Sequence, residues 1–447
     1  MKFRENLINA RSHIIFLVAL AAGIALVVKL DKVISTTSNT GSSMSQSGQA
    51  ASMMAFTNVT PLPLAITGES SAADLANARV AWKYFQNNTN AKTGLVNSVD
   101  GFPSTTMWET GSYFVAVISA DRLGVIEPAE AKARITLALD TLTKIRLFDD
   151  ILPNKAYNVE TGELSDYANK PSERGLGWSA LDVSRLTAAM GEVKQNYPDL
   201  APKVAEVLGR WDLSQLVEGG ELFGGNMIEG KLRRDQEGRV GYGQYAAKGL
   251  MLFGYDMYHA YDVTEHLMVK EVNGQPIAVD DRLHRNVTPA FAVSEPYVFD
   301  GLEFGFDTRS HRFASAIYLA QEARYTETGL LTAVSESHLD KAPYFAYATV
   351  WGGGEPWAVM SFKGERIDSK RTLATKTAFA WYALFGTEYA NKLVAAVAPL
   401  AEPDRGWAEG IYEIDQSINT SVTLNTNAVI LAALAFRAHG PLIKVGK

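Results

Sequence analysis

Two kinds of helix-forming segment alternate along this chain, and that alternation limits its fold more than any other feature. From Ser70 onward the dominant periodicity is helical. One kind is represented by "EPAEAKARITLALDTLTKIRLF", residues 127–148, with Pro128 in its first turn. Its apolar stripe runs through Ile135, Leu139, Leu142 and Ile145, and its opposite face is charged. The other kind, over 111–120, 243–254, 374–385 and 427–436, is apolar or small almost all round. A helix without a polar face must be covered on several sides. Buried helices alternating with one-faced ones predict an all-α fold, an (α/α)6 toroid in which an outer layer rings an inner one. A helical solenoid would alternate in the same way, but no fixed-period self-similarity is present. Inserted β-hairpins are expected at 266–281, around Asn273-Gly274, and more weakly at 221–240; residues 344–351 read as a strand or an extended loop.

The first seventy residues have a different character. Lys2, Arg4 and Arg11 precede the uncharged run 14–28, which is slightly shorter than the about 20 residues that cross a bilayer. Those flanks put the remainder of the chain across the membrane. Residues 1–13 then read as a cytoplasmic tail and 14–30 as a transmembrane anchor or a signal h-region. Residues 31–70, rich in Ser, Thr and Gly, read as a flexible linker, and 71–447 as the barrel domain. The expected location is the periplasmic side of the inner membrane, with that membrane as a partner, or secretion if the segment is cleaved.

Composition narrows the chemistry. A net charge of −7 offers no basic face for a phosphate backbone, which argues against nucleic acid. The chain has no cysteine, and its seven histidines are scattered. Neither a metal nor another cofactor is expected. The sequence also lacks a G-x-S-x-G elbow, a phosphate-binding P-loop and a dinucleotide fingerprint.

Several all-apolar helices are preceded by an aromatic residue beside glycine and a carboxylate or amide. Trp108-Glu109 is one such segment; Gly175, Gly177 and Trp178 open the helix that carries Asp182. Gly241-Tyr242-Gly243-Gln244-Tyr245 is another, and "DRGWAEGIYEID", residues 404–415, precedes Asn425 and Asn427. In an alternating barrel the N-termini of the inner helices share one end, so these segments converge. Aromatic faces over polar side chains suit sugar rings, and glycoside hydrolysis needs two carboxyl groups. Glu109 is the candidate acid and Glu409 the candidate base. Trp108, Trp178, Tyr242, Tyr245, Trp351, Trp357, Trp407 and Tyr412 are candidate sugar contacts, with Glu355, Glu413, Asn425 and Asn427 as polar partners.

Plainer roles compete with these. Glu109, Asn425 and Asn427 also read as helix caps. Asp182 and Arg185, three apart on one helix face, read as a structural pair. The cluster "SEPYVFDGLEFGFD", 294–307, could supply the second carboxylate instead.

The segments "MWETGSYFVAVISADRLGVI", "SERGLGWSALDVSRLTAAM", "GRVGYGQYAAKGLMLFGYD", "EPYVFDGLEFG" and "RGWAEGIYEIDQSINTSVTLNTNAVILAALAFRAHGPLI" together resemble the DUF3131 family. That family is similar to glycoamylase-like (α/α)6-barrel proteins. The resemblance implies the barrel and an exported, carbohydrate-linked role. The reading that follows is a glycoside hydrolase-like protein acting on a glucan or exopolysaccharide, with an oligo- or polysaccharide as partner. A non-catalytic glycan-binding or assembly factor is the alternative. A polysaccharide lyase using Tyr242 or Tyr245 is a third.

Overall fold

The computed structural model describes residues 46–282 and 289–443. From the residue-70 region onward the helices come as pairs, an outer helix followed by an inner one. The pairs are α1 (Ala72–Asn88) with α2 (Met107–Arg122), α3 (Pro128–Leu142) with α4 (Ala180–Asn196), and α5 (Ala201–Gly209) with α6 (Tyr242–Met251). Then come α7 (Tyr258–Tyr261) with α8 (Glu295–Phe299, prolonged by a π-turn over Asp300–Phe304), α9 (Thr308–Thr328) with α10 (Thr375–Phe385), and α11 (Glu388–Val397) with α12 (Leu424–His439). Each even-numbered helix packs against the next, and α12 packs back onto α2. The result is a closed inner ring with the odd-numbered helices outside it.

Burial follows the two sequence types. In α2 every residue from Thr110 to Ala120 is buried, and in α12 every residue from Leu424 to Phe436. The outer α3 buries only Ala131, Ile135, Ala138, Leu139 and Leu142, the stripe legible in its sequence. Caps fix where the inner helices begin. The side chains of Thr106, Ser179 and Thr423 accept the N–H groups of Glu109, Asp182 and Thr426 at the starts of α2, α4 and α12. Glu109 and Asp182 therefore both stand three residues past a cap, in the first turn of an inner helix.

The β structure lies in the connections. Strands β1 (Glu221–Ile228) and β2 (Lys231–Glu237) form the hairpin expected at 221–240. β3 (Leu267–Val272) and β4 (Gln275–Asp280) pair through Asn273 and Gly274, both at positive φ, as a two-residue turn of this type requires. β5 (Glu336–His338), β6 (Phe345–Ala348) and β7 (Val359–Met360) form one antiparallel sheet with β6 in the middle. In another, β9 (Gly406–Tyr412) lies between β8 (Thr372–Ala374) and β10 (Ile418–Val422). The glycine-rich segment before α12 is thus a strand rather than a rim loop. It carries no alternation because almost all of its residues are buried, and Gly410 is required where a Cβ would lie 2.3 Å from the Leu373 carbonyl oxygen.

The expected linker over 31–70 needs correction in its second half. Phe56 is buried, with its ring 4.4 Å from that of Phe313. Farther on, the Leu62 N–H donates to Ser315 Oγ at 3.0 Å, Ala65 N–H to the Leu384 carbonyl at 2.7 Å, and Gly68 N–H to the Arg437 carbonyl at 2.9 Å. Residues 53–66, "MMAFTNVTPLPLAI", are apolar and hold two prolines, so they have surface to bury and less chain entropy to lose. The run 14–28, expected to meet the membrane, lies outside the described residues. Among those described, no helix is long and apolar enough to cross a membrane.

Gly177 shows how tightly the strand-like approach to α4 is held. Its φ is +107°, and a Cβ there would lie 2.0 Å from the Gly225 carbonyl oxygen of β1. Trp178 and Gly225 exchange backbone hydrogen bonds of 3.1 and 2.9 Å beside it. Gly177→Ala is expected to destabilise the fold by about 2–4 kcal/mol through strain and overpacking, measured as a lower midpoint in urea with an unchanged slope.

Candidate active site

All six inner helices place a first-turn residue on the wall of one cavity of about 260 Å³. α2 contributes Trp108 and Glu109, α4 Asp182, α6 Tyr242, α8 Glu295, α10 Lys376 and α12 Asn425. Glu409 enters from β9. The remaining wall is built from the segment holding Phe291 and Val293 and from β5 and β6, through Glu336, His338, Phe345 and Tyr347. Convergence of helix N-termini, the feature anticipated from the alternation, thus brings together residues separated by more than three hundred positions.

The carboxyl groups fall into two sets. Glu295 and Glu409 are buried. Glu295 is an ion-pair partner of Lys376 and accepts hydrogen bonds from Asn425 Nδ2 at 2.7 Å and Ser335 Oγ at 3.1 Å. Glu409 accepts from the hydroxyls of Thr423 and Thr426, the latter at 2.8 Å, and leaves Oε2 without a partner. Burial raises the Glu409 carboxyl, against the opposing pull of Lys376. Lys376 is held above its ordinary range because Glu295, Glu409 and Glu336 together outweigh its burial.

Glu109, Asp182 and Glu336 form the second set and are only half-buried. Glu109 accepts a hydrogen bond from the Thr106 hydroxyl. Asp182 accepts from Ser179 Oγ at 3.0 Å, and burial, reinforced by the charges of Glu109 and Glu237, pushes it up to about 8. Glu336 accepts from the Tyr242 hydroxyl. Burial raises it to about 7, with Lys376 opposing and Glu109 adding to the rise. His338 beside it is lowered, chiefly by burial. Glu109 therefore faces two carboxyl groups that hold protons near neutrality. A carboxyl group that keeps its proton at neutral pH can act as a proton donor.

Of the residues singled out in the sequence, Glu109, Glu409, Trp108, Tyr242 and Asn425 line the cavity, as do Asp182 and, from the 294–307 cluster, Glu295. The Trp108 ring stands edge-on to Tyr242 at 5.7 Å. The others lie elsewhere. Trp178 is buried and donates through Nε1 to the Phe223 carbonyl at 3.1 Å, while Trp407 donates to the Asn77 carbonyl at 3.2 Å. Tyr412 donates to Asp340 at 2.7 Å, and Asn427 bridges the backbone of Trp407 and Thr423. Trp351 and Glu355 belong to a short β-hairpin and Trp357 follows it; Glu355 pairs with Arg366 and Trp357 donates to Asn273 at 2.9 Å. Glu413 is paired with Arg324 and Arg371 at 2.6 and 2.7 Å. Rings with a satisfied N–H or O–H serve the core well, which is why an aromatic beside glycine does not by itself mark a binding surface.

Asp182 and Arg185 do not pair as expected. Asp182 turns to the cavity, while Arg185 is buried and pairs with Glu303 at 2.6 Å. Tyr245, expected near substrate, is buried with them, its hydroxyl 2.5 Å from Arg185 Nη1 and 2.7 Å from Glu303 Oε2. Sequence reasoning missed Glu336, Lys376, His338 and Tyr347. Glu336 and His338 sit in "ESH", which has no periodicity to place it, and Lys376 stands inside an apolar helix, where a cation has no patterned meaning. The capping spacing Thr106-x-x-Glu109 and Ser179-x-x-Asp182 was the one signal that could have paired Asp182 with Glu109.

No curated protein matches the chain. Solved structures do, at low identity. The endo-β-1,2-glucanase from Chitinophaga pinensis, in complex with sophorotriose and glucose, is 11% identical with a TM-score of 0.60, over 83% of this chain and 94% of that one. The endo-β-1,2-glucanase from Talaromyces funiculosus, bound to sophorose, is 12% identical with a TM-score of 0.55, over 83% and 84%. A glucoamylase candidate from Bacteroides caccae is 13% identical with a TM-score of 0.58, over 83% and 94%. These likenesses show a shared double-layered helical barrel. Residues 76–440 match a family model outright, so the chain belongs to the family described as Protein of unknown function (DUF3131).

Proposed function

We propose that this protein is a glycoside hydrolase acting on a glucan, with Glu336 as proton donor and Glu109 as the second carboxyl group. The observation that carries the reading is the presence of Glu336, held at about 7, with Glu109 on one cavity walled by Trp108, Tyr242, Phe345 and Tyr347. Glu336, held at about 7, can keep a proton at neutral pH and give it to a glycosidic oxygen. Glu109 then activates water or attacks the anomeric carbon. The similar β-1,2-glucanases support a glucan as substrate. The N-terminal basic residues and uncharged run support export of the site to an extracytoplasmic glucan. Glu409, expected from sequence as the base, is assigned a holding role beside Lys376, because it is 1% exposed and already engaged by two threonine hydroxyls.

The test is incubation with a panel of β- and α-glucans that includes β-1,2-glucan, scored for reducing ends and for unsaturated, ultraviolet-absorbing products. Release of reducing ends without unsaturation is expected. Glu109→Gln should lower kcat by about 10²–10⁴ while circular dichroism stays native. Glu409→Gln should lower stability more than turnover; complete loss of turnover in a native fold would return the base to Glu409. Binding without any release would make the protein a glycan-binding factor, and unsaturated products would make it a lyase.

A further inference from the structure

We infer that Asn425, Glu409 and Lys376 form a subsite on the buried wall of the cavity that binds two adjacent free hydroxyls of one glucan ring. This rests on the hydrolase reading and deepens it, because it limits the linkages the protein can accept.

All three residues line the cavity and are buried. Glu295 sets two of them side by side. One of its oxygens accepts from Asn425 Nδ2 at 2.7 Å and the other from Lys376 Nζ. A carboxylate beside an ammonium accepts, so the Asn425 amide turns its NH2 group to Glu295 and its oxygen away. That oxygen, Oδ1, is buried without a hydrogen-bond partner among the described residues. Glu409 is held in a similar way. Its Oε1 accepts from Thr423 and from Thr426, the residue next to Asn425, while Oε2 is buried and has no partner. Lys376 carries three N–H donors, and among the described residues it gives a hydrogen bond to Glu295 alone. It keeps its proton, because the carboxylates around it outweigh its burial.

Buried acceptors are nearly always satisfied. Two unsatisfied ones on one cavity wall, with a cation that has donors to spare, make an alternating set. A sugar hydroxyl both donates and accepts. Two neighbouring hydroxyls can therefore give their protons to Asn425 Oδ1 and Glu409 Oε2 while accepting from Lys376 Nζ. A lone hydroxyl would leave one acceptor unpaired, and an anionic group would face acceptors only, apart from the lysine. Linkage chemistry follows from this. An interior ring of a β-1,2-glucan has free ring hydroxyls on its third and fourth carbons, which are neighbours. An interior ring of a β-1,3-glucan has them on its second and fourth carbons, with the linked carbon between. It has no adjacent pair to offer.

The experiment measures Kd by calorimetry, per glucose ring, for long linear β-1,2- and β-1,3-glucan on wild type, Asn425→Ala and Lys376→Arg, with reducing-end release followed alongside. Wild type should bind the β-1,2-linked chain about 5- to 100-fold more tightly, the cost of leaving a buried polar group unpaired. Asn425→Ala removes one acceptor and should weaken the β-1,2-linked chain by about 5- to 20-fold. The β-1,3-linked chain should move by less than about twofold, because it does not use that acceptor. A merely structural role would weaken both chains alike and leave the preference where it was. Lys376→Arg keeps a cation beside Glu295 but changes the donor's reach, so it should also narrow the preference, and it decides the question if Asn425→Ala does not fold. Equal wild-type Kd values would overturn the subsite, as would an unchanged preference in a natively folded variant. Preferential binding of the β-1,2-linked chain without release of reducing ends would end the hydrolase reading and leave the subsite standing. If wild type binds neither chain the subsite falls, while release of reducing ends from another glucan would still uphold the hydrolase reading.

Discussion

Glu336→Gln is expected to abolish hydrolysis while leaving glucan affinity and fold nearly intact. Glutamine keeps the shape of the side chain and an oxygen to accept the Tyr242 hydroxyl, but it has no proton to give. Loss of a general acid costs about 10²–10⁴ in rate, so kcat is the parameter that should move. The pH profile gives an independent reading. Activity needs Glu336 protonated, so wild-type kcat/KM should fall as pH rises through about 7. The residual activity of the variant should lack that alkaline limb. Stability obeys the same titration. A carboxyl whose folded value lies above its unfolded value contributes stability that is complete in acid and is lost as pH rises through the folded value. For Glu336 that loss runs up to about 7, and for Asp182 up to about 8. The melting temperature of wild type should therefore decline across this window, and Glu336→Gln and Asp182→Asn should each flatten the decline. A wild-type rate with an unaltered alkaline limb in Glu336→Gln would remove the residue from the chemistry.

Arg185→Met is expected to produce the largest loss of stability of any single change in the ring. The guanidinium is buried, paired with Glu303 and in contact with the Tyr245 hydroxyl, and lies 4.6 Å from the centre of the Phe299 ring. Glu192, also buried, has its carboxyl raised well above the ordinary range by burial and by Glu303. Without Arg185, two carboxyl groups share an apolar interior, and Arg122, which also acts on Glu192, is left to offset them. Breaking a buried pair on one side costs about 3–5 kcal/mol. The double variant Arg185→Met with Glu303→Gln removes the stranded charge and should recover a large part of that loss. The deficit of the single variant should grow with pH, since raised carboxyls lose stability as they ionise. Denaturant midpoints for the three proteins at two pH values check all of this. Equal stability of wild type and Arg185→Met would show that the pair is not what holds Tyr245 and the adjoining Trp108, whose ring centre lies 5.9 Å from the guanidinium.

The barrel was legible because its cause is a pattern. Helices such as 427–436, apolar on every side, have only one place to go, and their common polarity fixes the end at which their first turns meet. Glu109, Trp108, Tyr242 and Asn425 could be placed at that end by topology alone. The strands were harder. Residues 406–412 are buried on both faces, so they carry no period of two, and their glycines answer to close backbone approach rather than to a flexible rim. The site residues that escaped detection, Glu336, Lys376 and Tyr347, share a reason. Each owes its position to a long-range contact across the ring or sheet, and no local spacing encodes that. Trp178 and Trp407 mislead for the converse reason, since a tryptophan with its N–H satisfied by a carbonyl is indistinguishable in sequence from one left open to a ligand.

Closure of the inner ring has a kinetic side. The seam where α12 meets α2 is fastened by Arg122, whose guanidinium reaches the carbonyls of Pro441 and Leu442, the first of them 319 positions away along the chain. Contacts so remote in sequence form late and slowly, because most of the chain must be in order before its two flanks can meet. Until then the apolar sides of α2 and α12 have no cover, and a partly wound barrel exposes them to other copies of itself. Refolding yield should accordingly be more sensitive to protein concentration than the stability of the finished ring would suggest, and the seam is where a chaperone would find its handhold.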